Sequence, residues 1–161
     1  MEIYMEEQQL DKNLRYERKY WLDTDKSLIF KSILKDKQFS EIYKKRRVMS
    51  LYFDTQNFKF FRENIEGVGN RIKPRLRWYH DIQENNYNEI DAGLEIKKKK
   101  GFVGNKLNFK IGKYKNIYEL IKSINQFDFQ EKISNIVNIQ VFPILITSYD
   151  REYFLSKDKL F

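Results

Sequence analysis

Arg75 and Arg77 flank Leu76, Glu95 and Lys97 flank Ile96, Tyr149 and Arg151 flank Asp150, and Glu17 and Lys19 flank Arg18. In a strand, residues two apart point to the same face. Each of these short runs therefore sets polar, mostly positive groups on one side of a strand. Arg71, Lys73, Arg75, Arg77 and Tyr79 extend the pattern along one segment. Lys99 extends it past Lys97, and Lys106, Asn108 and Lys110 repeat it further on. Arginine binds phosphate through a planar fork, and lysine acts as a mobile point charge. A sheet that curls around such a face makes a cavity suited to a polyanion such as polyphosphate.

Elements must position these groups. Residues 14–22 read as a strand, with Tyr16, Tyr20 and Trp21 supplying aromatic bulk. Thr24 is a plausible N-cap, with a helix to about residue 38. The run 43–47, Tyr-Lys-Lys-Arg-Arg, reads as a basic connection, and 48–54 as a strand. Residues 58–63 read as another short strand, joined by a Gly67–Asn70 turn to a strand over 71–80. Pro74 removes a ladder donor and points to an edge or strand end there. Strands follow at about 90–99 and 106–111, around a turn at 101–105. Helices follow at 114–127 and about 130–137, and a last strand at 144–154. This is a meander of antiparallel hairpins with a few helices.

The alternative for any one strand is a half-exposed element with its cations in water, and for one strand alone the two readings are even. Recurrence favours the site. Neighbouring cations repel by about 4 kcal/mol per close pair at an effective dielectric near 20, which an anion or good solvation must offset. Lys98 and Lys100 point away from Lys97 and Lys99 and read as solvated. The 43–47 run reads as a solvated loop rather than a nucleic-acid patch. The aromatics read as core, and residues 101–104 lack the spacing of a phosphate-binding glycine loop.

Composition narrows the chemistry. The chain has 161 residues, a net charge of +8, no cysteine and a single histidine, His80. One domain is the natural expectation at this length. The charge favours an anionic partner. Disulfides and cysteine metal sites are excluded, so a metal would sit on carboxylates and phosphate oxygens, which suits magnesium or manganese. No apolar run reaches the length of a membrane span. The polar, acidic start is not a signal peptide, and a cytoplasmic protein is the expectation.

Five segments, read together, carry a resemblance. They are RYERKYWL at 15–22, SLYFDT at 50–55, RLRWY at 75–79, LEIKKKKG at 94–101 and YDREYF at 149–154. Their order resembles the vacuolar transporter chaperone (VTC) domain, the polyphosphate polymerase branch of the CYTH-like triphosphate tunnel superfamily. The resemblance implies an α+β fold, an antiparallel β-barrel or tunnel with a few flanking helices and basic residues pointing inward. It divides the chain into a polar lead-in, 1–13, and a tunnel domain, 14–161, that is C-terminally shortened, since the family continues past a strand that here leaves ten residues after Arg151.

What the resemblance implies about function is transfer of the ATP γ-phosphoryl group to a growing polyphosphate chain, with Mn²⁺ or Mg²⁺. Lys19, Arg75, Arg77, Lys97 and Arg151 would be its catalytic phosphate contacts, and Tyr149, Lys73 and Lys99 substrate-binding groups. Glu17 and Glu95 would be the carboxylates placed to touch metal. The Arg15, Glu17, Lys19 spacing departs from the ExExK signature of hydrolytic relatives. A non-catalytic polyphosphate or pyrophosphate module and a triphosphate hydrolase stay open as alternatives, and the chain is an enzyme only if the family's further strands are supplied. ATP and inorganic polyphosphate are the expected partners and nucleic acid is not; a membrane-protein partner and the oligomeric state stay open.

Overall fold

The computed structural model describes residues 7–8, 19–81, 89–101 and 103–158. The chain runs β1 (Glu7–Gln8), α1 (Thr24–Asp36), β2 (Ser40–Asp54), α2 (Lys59–Ile65), β3 (Asn70–Asp81), β4 (Ile90–Lys100), β5 (Val103–Tyr114), α3 (Ile117–Ile124), α4 (Phe127–Val137) and β6 (Phe142–Leu155). The strands form one antiparallel sheet in the order β1-β5-β4-β3-β2-β6. Among the described residues β6 and β1 do not pair, so the sheet is an open, incomplete barrel. No helix among those residues is long and apolar enough to cross a membrane.

Alternation decides which face is dry. Leu51 and Phe53 on β2, Leu76 and Trp78 on β3, Ala92, Leu94 and Ile96 on β4 and Ile111 on β5 are buried on one side. Leu120 and Ile124 of α3 and Phe129, Ile133 and Val137 of α4 pack into the same cluster. Helical spacing gives each helix one apolar stripe, and the sheet supplies the surface that buries it. Leu94, with no exposed surface, lies at the middle of this layer, where truncation to alanine costs about 3 kcal/mol.

Several local expectations change. Residues 58–63 belong to a helix, not a strand. The Asp54 carboxylate reaches across the loop and accepts from the amides of Thr55 and Phe60 through Oδ1 and of Phe61 through Oδ2. The last two bonds satisfy donors in the first turn of α2, and the first holds the loop before it. The turn at Gly67 consequently leads from a helix into β3; its φ of 70° suits glycine. The N-cap of α1 is Asp23, whose side chain accepts from the Lys26 amide, rather than Thr24. Residues 19–23 form no strand, and Trp21 is 97% exposed, so aromatic content alone did not place that segment in the sheet. Pro74 lies one residue beyond the last β2–β3 pair, Tyr52 with Arg75, so it falls where β3 becomes an edge on the β2 side, while the strand itself continues to Asn70 paired with β4.

The largest change concerns residues 43–47, which are strand and not loop. β2 runs unbroken from Ser40, and its first part pairs with β6 alone. Beyond the Arg46–Asp81 pair, where β3 ends, β2 and β6 continue as a two-stranded ribbon.

Candidate functional site

Register lines up the alternating positions. Ser50 pairs with Arg77, and Tyr52 with Arg75. Arg75 pairs with Glu95, and Glu95 with Asn108. Lys73, Lys97 and Lys106 form one row across three strands, and Arg71 and Lys99 the row beyond. Directly paired residues share a face. The basic positions of β2, β3, β4 and β5 therefore stand together on the side opposite the core. Lys98 falls on the other side, as alternation requires.

The centre of this face is organised by Glu95. Its Oε2 accepts from Arg75 Nε at 2.9 Å and Nη2 at 2.7 Å. Arg77 Nη1 lies 3.6 Å from the same oxygen, and Lys106 Nζ lies 3.8 Å from Oε1. Arg75 Nη1 donates to the Tyr52 hydroxyl, and Arg77 Nε to Ser50 Oγ. Burial works against the charged guanidinium of Arg75, but the Glu95 carboxylate and the Tyr52 hydroxyl outweigh it and hold Arg75 above its ordinary pKa. Two arginine forks are thus fixed in place before any ligand arrives, which lowers the ordering cost of binding. Beside them a shallow depression of about 430 Å³ is lined by Arg77, Gly93, Glu95, Lys106, Asn108 and Lys110. Gly93 forms its floor by lacking a side chain, a common mark of a surface approached by a ligand or another backbone.

One row further, the character changes. Lys73 is held below its ordinary pKa, first by burial and then by Arg71, Lys19, Lys97 and Arg75. All the neighbours that shift it are cations. Lys19 therefore lies close enough to act on Lys73, although its segment is not a strand. This lysine end carries concentrated positive potential, the condition under which a polyanion gains most by entering.

At the other end of the face, β2 and β6 carry a ladder that the sequence pattern did not reveal in full. Arg46 pairs with Arg151, and Tyr43 with Tyr153. The Arg151 guanidinium lies over Tyr149 at 5.4 Å and over Tyr153 at 5.8 Å. Arg46 lies over Tyr43 at 4.8 Å, and the Tyr43 and Tyr153 rings meet edge to face at 5.5 Å. Tyr149 and Arg151 are where alternation predicts them; Tyr43 and Arg46 were hidden in the supposed loop. The register shifts between Glu41 and Tyr43 and between Tyr43 and Arg46 explain this, because an irregular pairing puts residues three apart on one face.

The sequence-derived residues thus fall into three stations and not one. Arg75 and Arg77 make the centre; Lys73, Lys97, Lys99 and Lys19 the lysine end; Tyr149 and Arg151 the ladder. Arg46 lies four positions along β2 from Ser50, the partner of Arg77, a distance of about 13 Å.

Residues 14–160 match the VTC domain family. The chain belongs to this family. That membership points to a function related to polyphosphate, and it agrees with an open antiparallel sheet that carries its basic residues on one face. A comparison with curated proteins finds no match for the chain.

Metal fits the described residues of this VTC domain poorly. Glu17 lies outside them. Glu95 has Oε2 committed to Arg75 and three cations around it, which disfavours a divalent ion at that carboxylate. Among the described residues no three acidic, histidine or cysteine side chains gather as a metal cage.

Proposed function

We propose that this VTC domain is a polyphosphate polymerase that uses ATP as phosphoryl donor. The observation that carries this reading is the pair of Arg77, buried, and Arg75, partly buried, both held beside Glu95 and flanked along one face by the Lys73, Lys97 and Lys106 row. A terminal oxygen of the acceptor chain forms a bond to the γ-phosphorus of ATP. The bond from that phosphorus to the β,γ-bridging oxygen breaks, and ADP leaves with the electron pair. The attacking oxygen is already anionic, so the step needs no general base. What the protein supplies is alignment of two polyanions and stabilisation of charge in transfer.

In this reading Arg75 and Arg77 grip the transferred group and its leaving oxygen. Lys73, Lys97 and Lys99, with Lys19 beside them, screen the acceptor chain, whose own charge would otherwise keep the two substrates apart. Arg151 and Tyr149, on β6, hold the donor beside the first part of β2. A divalent ion, Mn²⁺ or Mg²⁺, would enter on the phosphate oxygens, where it would neutralise charge; the roles given to the side chains do not depend on it. The test is incubation of the folded protein with ATP and Mn²⁺, with and without a short polyphosphate primer. Polyphosphate and ADP should accumulate together. A folded sample that yields no polymer under either condition overturns the polymerase reading, and orthophosphate without polymer marks a hydrolase.

The second reading is a polyphosphate-binding module without turnover. What favours it is the commitment of Glu95 to Arg75, which leaves the face built for anions but short of carboxylate. Tight tripolyphosphate binding with no product in the same assay would select it.

A further inference from the structure

The ribbon ladder differs in kind from the rest of the basic face. Three tyrosines and two arginines converge there from two strands, in three ring–guanidinium contacts and one ring–ring contact, whereas at the arginine centre a single guanidinium, Arg75, lies over a single ring, Tyr52, at 5.9 Å. The rings are wet, with Tyr43 52% and Tyr149 38% exposed, so burial in the core does not account for them. Among the described residues neither Arg46 nor Arg151 has an ion-pair partner, whereas Arg75 and Arg77 share Glu95. Flat, exposed aromatic surface next to unneutralised arginine suits one class of ligand group: a planar base attached to phosphate. Bases stack on tyrosine faces and on guanidinium planes alike, and such stacking tolerates any base.

Position supports the same ligand. The ladder and the arginine centre share one face, with about 13 Å of β2 between them. The ribose and inner phosphates of an extended nucleotide would occupy that interval. We propose that Tyr43, Arg46, Tyr149, Arg151 and Tyr153 form the subsite for the base of the donor nucleotide. The nucleoside then lies at the β2–β6 ribbon, its phosphates run toward Arg77 and Arg75, and the acceptor chain occupies the Lys73–Lys97–Lys106 row. The face thereby acquires a direction: donors load at the ring end and polymer occupies the lysine end. This inference rests on the polyphosphate reading of the face.

Calorimetric titration with ATP and, separately, with tripolyphosphate tests it. Both ligands carry a triphosphate, and only one carries a base. In the doubly changed Tyr43→Leu, Tyr153→Leu protein, ATP affinity should fall about tenfold while tripolyphosphate affinity holds. Tyr43→Phe with Tyr153→Phe keeps the rings and should retain ATP affinity, which controls for loss of fold. Equal losses for the two ligands would mean that the ladder contacts phosphate only, and unchanged ATP affinity would mean that the base binds elsewhere; either overturns the proposal. If the unaltered protein binds neither ligand, or if Arg75→Ala with Lys97→Ala leaves tripolyphosphate affinity intact, the underlying polyphosphate reading fails instead.

Discussion

Arg75 and Arg151 occur in similar alternating runs, face the same side of one sheet, and are held in opposite ways. Arg75 is clamped by a half-buried carboxylate and a tyrosine hydroxyl. Arg151 is padded by two rings and lies at the surface. A carboxylate fixes an arginine but also spends part of its charge. A ring fixes it more loosely and leaves most of its field outward. The centre is therefore built for geometry and the ribbon for attraction. Glu95 decides the first case, because without it Arg75, Arg77 and Lys106 would repel one another in a partly dry site.

Removing the anchor is the strongest test of this contrast. Glu95→Ala should destabilise the protein by about 3 kcal/mol, since it strips the shared partner from half-buried cations. Arg151→Ala should cost under about 1 kcal/mol, as exposed interactions usually do. Urea denaturation of the two variants measures the difference. Similar losses for both would show that the centre is no more preorganised than the ribbon. Tripolyphosphate added to Glu95→Ala should restore part of the lost stability, because an anion then takes the place of the carboxylate.

A smaller effect separates the depression from the arginines around it. A Cβ on Gly93 would meet only the Phe109 carbonyl, at 3.7 Å, an ordinary contact, and its backbone is not in the left-handed region. Gly93→Leu should therefore fold while its side chain fills the floor between Arg77 and Lys110. Tripolyphosphate affinity should drop by about tenfold or more, with an unfolding midpoint close to that of the unaltered protein. Unchanged affinity would show that the ligand bypasses the centre and binds by the outer cations alone.

These two regions were unequally legible in the amino-acid sequence, for physical reasons. Arg75, Arg77, Glu95 and Lys97 lie in regularly paired strands, where period two reports the face directly. Their grouping followed from spacing, but the commitment of Glu95 to Arg75 did not, because it depends on which strands neighbour each other. Tyr43 and Arg46 were lost because their strand is irregular exactly where they sit three apart. The Phe60-Phe61 pair suggested a strand, and only the Asp54 cap, set across a loop, shows why a helix forms. Trp21 and Tyr20 carry strand propensity, yet both are exposed and neither lies in a strand among the described residues.

The smallest effect lies where the two regions join. His80 pairs with Arg47 at the end of β3, just before the three-stranded part gives way to the ribbon. Its Nε2 accepts from Trp78 Nε1 at 3.1 Å, so this bond needs the neutral ring. Burial, and then Arg47, hold the His80 pKa below 6.5. In the unfolded chain the ring titrates at its ordinary value, so below about pH 6.5 the unfolded state binds more protons than the folded one. The contribution is complete above that value and is lost as pH falls through the depressed folded-state value. Because His80 is substantially solvated, the drop in melting temperature from pH 7.5 to 5.5 attributable to it should be on the order of a degree or two. His80→Gln should flatten that dependence. If protonation loosens the junction, the ribbon should lose amide protection at low pH before β3 and β4 do. Hydrogen exchange at pH 5.5 that shows both regions opening together would mean that the ribbon and the centre are one cooperative unit, and that their contrast is electrostatic without being mechanical.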